Sequence, residues 1–270
     1  MPGNSRDRLL ALFQGALEAV RGDRLVEAAL CDSTVRHVIA LGKAAEALAT
    51  GAWRAKRAAI RSGFLALPRG YETGELPSSA PFECYRGAHP LPDEASLAAG
   101  AALERYAREL RRSEPVTVLL SGGASACVES PASGVNLALL RRVNTWLLGS
   151  GLPITTINAV RARLSRLKGG GLARWLQGCE VNAWVLSDVM GDFEWVGGAP
   201  LGAVPAEWPL LPDWLQSVLD SVVTSPVVTV PRQRLAGNRD AVAAVCALGG
   251  QCRGELASDL GAACGDIVRT

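Results

Sequence analysis

Asn158-Ala-Val-Arg161, Leu164-Ser-Arg-Leu-Lys168-Gly-Gly-Gly171 and Trp184-Val-Leu-Ser-Asp188-Val-Met-Gly-Asp192 lie in one continuous stretch. Asn158, Arg161, Ser165 and Lys168 follow one another at three, four and three residues. On a helix from Asn158 to Trp175 that spacing gathers all four on one face. Leu164 and Leu167 would point elsewhere and pack inward. The three glycines after Lys168 should break or kink that helix. Val181–Leu186 then reads as a buried strand ending in Ser187-Asp188. A cationic stripe beside carboxylates at the end of a strand suits a phosphorylated, metal-bound ligand.

Upstream, the same grammar repeats. Val35–Leu41 is a short apolar run followed by Gly42-Lys43 and an alanine-rich helix to about Ala59, the start of a βα unit. Val116–Leu120 runs directly into Ser121-Gly-Gly-Ala-Ser-Ala126, two glycines and two hydroxyls suited either to an anion-binding backbone nest or to a tight turn. Phe64–Leu67 suggests another strand, and residues 68–92, rich in Pro, Gly and Ser, a long connection. That connection closes on Ala88-His-Pro-Leu-Pro-Asp-Glu94, where Asp93 or Pro92 opens a helix to about Arg112. His89 there reads as a ligand or proton carrier, or as a turn residue. Helices are also expected over 7–21, 137–148, 208–218, 239–247 and 253–266, and a last strand over Val222–Val230. Strands alternating with helices give an α/β chain with a parallel sheet covered on both faces. Ligands should then collect at the carboxyl ends of the strands.

Composition sets the outer limits. Apolar residues are 49% of the 270-residue chain and charged ones 20%, enough for a full core. A net charge of +2 and an aromatic content of 5% give no basis for nucleic-acid or membrane binding. Seven cysteines and two histidines, without a Cys-x-x-Cys pair, read as reduced thiols rather than a zinc site. Residues 1–8 lack the apolar core of a signal peptide, so a cytoplasmic protein is expected.

Taken in order, Gly42-Lys43-Ala44-Ala45, His89-Pro90-Leu91-Pro92-Asp93-Glu94, Ser121–Ala126, Asn158–Arg161, Leu164-Ser165, Lys168-Gly169-Gly170 and Ser187-Asp188-Val189-x-Gly191-Asp192 resemble the N-terminal domain of the class II glycerate 2-kinases, the MOFRL-associated or DUF4147 domain. The resemblance implies a three-layer α/β/α, flavodoxin-like, mostly parallel sheet. It implies ATP-dependent phosphorylation of the 2-hydroxyl of D-glycerate or a similar 2-hydroxy acid, with Mg²⁺. Residues 1–270 would form one such domain without the C-terminal MOFRL domain, so a separate MOFRL-domain protein or a homo-oligomeric neighbour would complete the cleft. Lys43, Arg161 and Asp188 are the expected catalytic residues. His89, Asp93, Ser121, Gly122, Gly123, Ser125, Asn158 and Lys168 are the expected substrate ligands, and Asp188 and Asp192 the metal ligands. Where the family carries Ser-Gly-Pro-Thr, this chain reads Gly198-Ala199-Pro200-Leu201, which removes two hydroxyls. A non-catalytic module that binds an organic acid or phosphate is the alternative.

Overall fold

The computed structural model describes residues 5–187, 193–204 and 211–250. In chain order the elements are α1 (Ser5–Ala19), α2 (Gly22–Ala29), β1 (His37–Leu41), α3 (Ala45–Lys56), β2 (Ser62–Pro68), β3 (Phe82–Gly87), α4 (Glu94–Glu109), β4 (Pro115–Ser121), α5 (Ala124–Cys127), α6 (Leu137–Gly149), α7 (Ile154–Arg163), α8 (Gly171–Trp175), β5 (Glu180–Ser187), α9 (Asp213–Ser221), β6 (Arg232–Gly237) and α10 (Asn238–Ala247). A 3-10 segment, Phe193–Gly198, precedes α9. The chain divides into two compact units, Val20–Asn238 and the pair Met1–Ala19 with Arg239–Thr270. In the second unit Arg8 Nη2 donates to Gly249 O at 3.3 Å.

The larger unit is built on six parallel strands in the order β3-β2-β1-β4-β5-β6. Along β1 the side chains alternate between two cores. Ile39 and Leu41 join Phe64, Leu103, Val118 and Trp175 on one face. Val38 and Ala40 join Val26, Leu48, Ala52 and Leu119 on the other. Every residue of β1 is buried, as a strand covered on both faces requires. The three layers, parallel strands and double winding agree with the expected class. The chain runs outward from β1 to β3, then returns to place β4 on β1's other side, so the switch point lies between β1 and β4. A third core, with Leu140, Val143, Val160, Leu164 and Leu215, unites α6, α7 and α9 beside the sheet.

Three segments differ from their sequence reading. The 68–92 connection contains β3, an edge strand whose pattern is mostly exposed. With Glu83 and Arg86 in it, no apolar alternation marks it. Val222–Val230 is not a strand; it has no regular secondary structure, Val223 is 90% exposed, and the sixth strand is Arg232–Gly237. The 158–175 helix is two, α7 and α8, joined by an irregular turn. The helix expected over 253–266 lies outside the described residues.

Candidate active site

At the switch point two strand ends are tied into one loop pair. Leu41 faces Leu120 in register, so Gly42 and Ser121 leave the sheet side by side. Lys43 N donates to Gly122 O at 2.8 Å, and Ala44 N to Ser121 Oγ at 3.0 Å. Ser121 Oγ in turn donates to Leu41 O at 3.3 Å. Gly42 has φ +112, and a Cβ there would lie 2.4 Å from Ser121 O. Only glycine permits both the left-handed backbone and that approach. Ser121, 2% exposed, therefore splices the two loops rather than facing a ligand.

Lys43 crosses this splice. A Cβ on Gly123, whose φ is +83, would sit 2.8 Å from Lys43 Cγ. The ammonium ends 5.8 Å from the centroid of the Tyr71 ring. Among the described residues it makes no ion pair. Two residues after Gly123, the half-buried Ser125 leaves its hydroxyl without a hydrogen bond among the described residues. A cation without a counter-ion, laid over a glycine loop where parallel strands diverge, can receive an anion.

Lys168 differs. Its helix ends at Arg163, and Ser165 Oγ accepts the amides of Leu167 and Lys168, both at 3.2 Å, which turns the chain out of helical geometry. The one-face arrangement of Asn158, Arg161, Ser165 and Lys168 on a continuous helix is thus not formed. Ser165 and Lys168 meet instead on Glu129. The Lys168 ammonium is paired with Glu129 Oε2, with side-chain exposures of 0% and 4%. Ser165 Oγ donates to Glu129 Oε1 at 2.6 Å, and Ser130 N to the same oxygen at 2.9 Å. Burial lowers the pKa of the Arg161 guanidinium and the Glu129 charge counteracts this, so both basic groups answer to one carboxylate. Arg161 Nε also donates to Asn144 Oδ1 at 2.7 Å. Asn158, one turn earlier and 7% exposed, makes no side-chain hydrogen bond among the described residues.

Glu129 went unremarked in the motif reading, yet it left a mark. It is the one charged residue between positions 115 and 140. A lone carboxylate in so apolar a run calls for a buried partner.

The 3-10 segment joins the two groups. Gly169 N donates to Gly198 O at 3.2 Å and Gly170 N to Ala199 O at 3.0 Å. A Cβ on Gly197 would lie 3.2 Å from Ala124 Cβ, and one on Gly198 2.7 Å from Lys168 Cδ. Beneath both groups, burial pushes the Cys127 thiol up to about 12, against the pull of the Gly42 amide and the Lys168 charge. Such a thiol is no nucleophile.

Two candidates lie elsewhere on the rim. Asp93 caps α4, accepting from Ser96 N at 2.9 Å in a capping box, and pairs with Arg69. Burial alone would raise its carboxyl, but the hydrogen bonds from Arg69 and Ser96 outweigh it and hold the pKa at about 2. Its role here is structural. His89 is exposed, at a cis His89-Pro90 peptide beyond β3. Asp188 and Asp192 follow β5 outside the described residues. Among the described residues no three His, Cys, Asp or Glu side chains cluster as a metal site, and no helix is long and apolar enough to cross a membrane. A cavity of about 510 Å³ opens on the other flank of the Lys168 loop, lined by Ala159, Arg163, Arg174 and Val227 but not by Lys43 or Gly123.

Known proteins share this chain's sequence and fold. The D-glycerate 2-kinase of Thermotoga maritima is 35% identical over 193 residues, covering 71% of this chain and 46% of the relative. The human glycerate kinase is 29% identical over 202 residues, covering 71% and 38%. A crystal structure of a glycerate kinase from Thermotoga maritima superposes with a TM-score of 0.78 at 26% identity, over 92% of this chain and 63% of that one. The chain thus spans about half the length of the curated relatives it matches. Residues 8–208 match the DUF4147 family, described as a domain of unknown function, and the chain belongs to that family.

Proposed function

We propose that the chain supplies one wall of a glycerate 2-kinase-like phosphotransferase site, working in the cytoplasm and transferring phosphate from ATP to the 2-hydroxyl of D-glycerate or a similar acid. One observation carries the reading: Lys43, without a counter-ion among the described residues, lies across Gly123 at the β1–β4 switch point. Phosphoryl transfer depends on positioning and charge neutralisation, which a preset ammonium provides. In this reading Lys43 meets the phosphoryl or carboxylate oxygens. Ser125 and the Gly122–Gly123 loop hold the anion's other side. Arg161 and Asn158 form the neighbouring wall. Asp188 and Asp192, which follow β5 in the sequence and lie outside the described residues, are hard oxygen donors suited to Mg²⁺. That ion would neutralise phosphate charge when bound. A separate MOFRL-domain polypeptide, or a second copy of this chain, would provide the opposite wall.

The alternative, a non-catalytic module that binds an organic acid or phosphate, is favoured by one feature. The Lys168 side chain is buried and neutralised by Glu129, so one of the three expected basic groups already has a counter-ion. The deciding experiment is formation of 2-phosphoglycerate from D-glycerate and Mg-ATP, with and without a co-expressed MOFRL-domain protein. Turnover in either condition supports the kinase. Binding of glycerate or phosphoglycerate without turnover in both supports the module, and neither binding nor turnover removes both readings.

A further inference from the structure

We propose that Tyr71 is a positioning residue for Lys43: its ring holds the ammonium by its face and forms a wall of the anion site. The proposal deepens the reading of Lys43 given above and rests on it. Three observations converge. The Lys43 ammonium lies 5.8 Å from the Tyr71 centroid, within the range of a cation–π contact. Among the described residues the ammonium makes no hydrogen bond or ion pair, and the ring is what it rests on. Tyr71 itself is 44% exposed, so packing alone gives no reason for an aromatic there.

The third observation is the construction of the loop that carries it. Residues 69–81 connect β2 to β3 without a helix, and carboxylates fasten them. Glu46, 8% exposed on the first turn of α3, accepts Thr73 N at 2.7 Å and Leu76 N at 3.4 Å. Glu72 accepts Gly70 N at 2.8 Å and pairs with Arg86 at 2.8 Å. Glu46 lies three residues after Lys43, so the element that presents the lysine also anchors the loop that presents the ring. The clasp fixes both ends of the contact. An exposed loop with no function for its tip has no need of a buried carboxylate to hold its backbone.

The chain contains only three lysines, Lys43, Lys56 and Lys168, which makes the test direct. Acetic anhydride labelling followed by mass spectrometry reads each amine in the full chain. Lys56, which donates to Cys31 O on α3's far end, serves as the internal reference. Tyr71→Leu should raise the Lys43 labelling rate about 2- to 5-fold, the range of an exposed cation–π contact, with the Lys56 rate unchanged. Tyr71→Phe keeps the face and should match the parent chain. Equal Lys43 rates in parent and Tyr71→Leu, or Tyr71→Phe behaving as Tyr71→Leu, would overturn the proposal. Inorganic phosphate, added to the parent chain, tests the underlying reading separately. Protection of Lys43 supports the anion site. Its absence removes that site whatever the Tyr71 rates show.

Discussion

The aliphatic stem of Lys43 occupies the space that a side chain at Gly123 would need, with Cγ 2.8 Å from the position of a Cβ there. The splice of the two loops and the reach of the lysine are therefore one structural fact. Gly123→Ala must also place an alanine at φ +83, which disfavours the folded state by about 1–2 kcal/mol. The variant should melt earlier and bind 2-phosphoglycerate more weakly. Parent-like stability and affinity together would show that Lys43 is not confined by Gly123.

The buried Lys168–Glu129 pair should behave as a unit. Lys168→Met or Glu129→Gln alone strands one polar partner in a site 0% and 4% exposed, and each should lose about 3–5 kcal/mol in urea unfolding. The double variant, which removes both charges of the pair, should recover much of that loss. Additive losses in the double-mutant cycle would mean that the two charges do not interact.

Ala199 sits at φ +52 with no exposed surface. A left-handed alanine is strained where glycine is not, and the family resemblance places a glycine at this position. Ala199→Gly should stabilise the chain by about 1 kcal/mol, the relief of strain exceeding the added freedom of the unfolded chain. A lower unfolding midpoint in Ala199→Gly would contradict this.

Asp93 provides a pH signature. Its folded pKa, about 2, lies below the ordinary 3.8. The stability it contributes is complete above that ordinary value and is lost as pH falls from about 4 toward 2. Asp93→Ala should be less stable than the parent at pH 7 by about 1 kcal/mol, the usual effect of losing an N-cap. The gap should narrow from about pH 4 and be nearly closed at pH 2. A gap that stays constant down to pH 2 would assign the loss to something other than the ionised cap.

The sheet was legible because its central strands are short apolar runs, each ending in glycine. Leu41-Gly42 and Ser121-Gly122 marked two strand ends with ligand-competent loops; that they flank the switch point follows only from the strand order. The edge strand β3 was not legible, since one exposed face and mixed charges erase the period that a buried strand would show. The segment around Lys168 was misread in its local form and right in its neighbours. Helical spacing alone cannot register that the Ser165 hydroxyl captures the next backbone amides. Glu129 and Tyr71 belong to no spaced motif and reach Lys168 and Lys43 through tertiary contacts, and Glu46 reaches the loop that carries Tyr71.

Calorimetric titration of 2-phosphoglycerate into the parent chain and Lys43→Gln tests most directly whether Lys43 is the cation of an anion site. The parent should bind, and Lys43→Gln should bind at least about 10-fold more weakly, the loss of one charge-assisted contact, with an unchanged melting temperature. Equal affinity in the two chains, or no binding by either, would contradict the account.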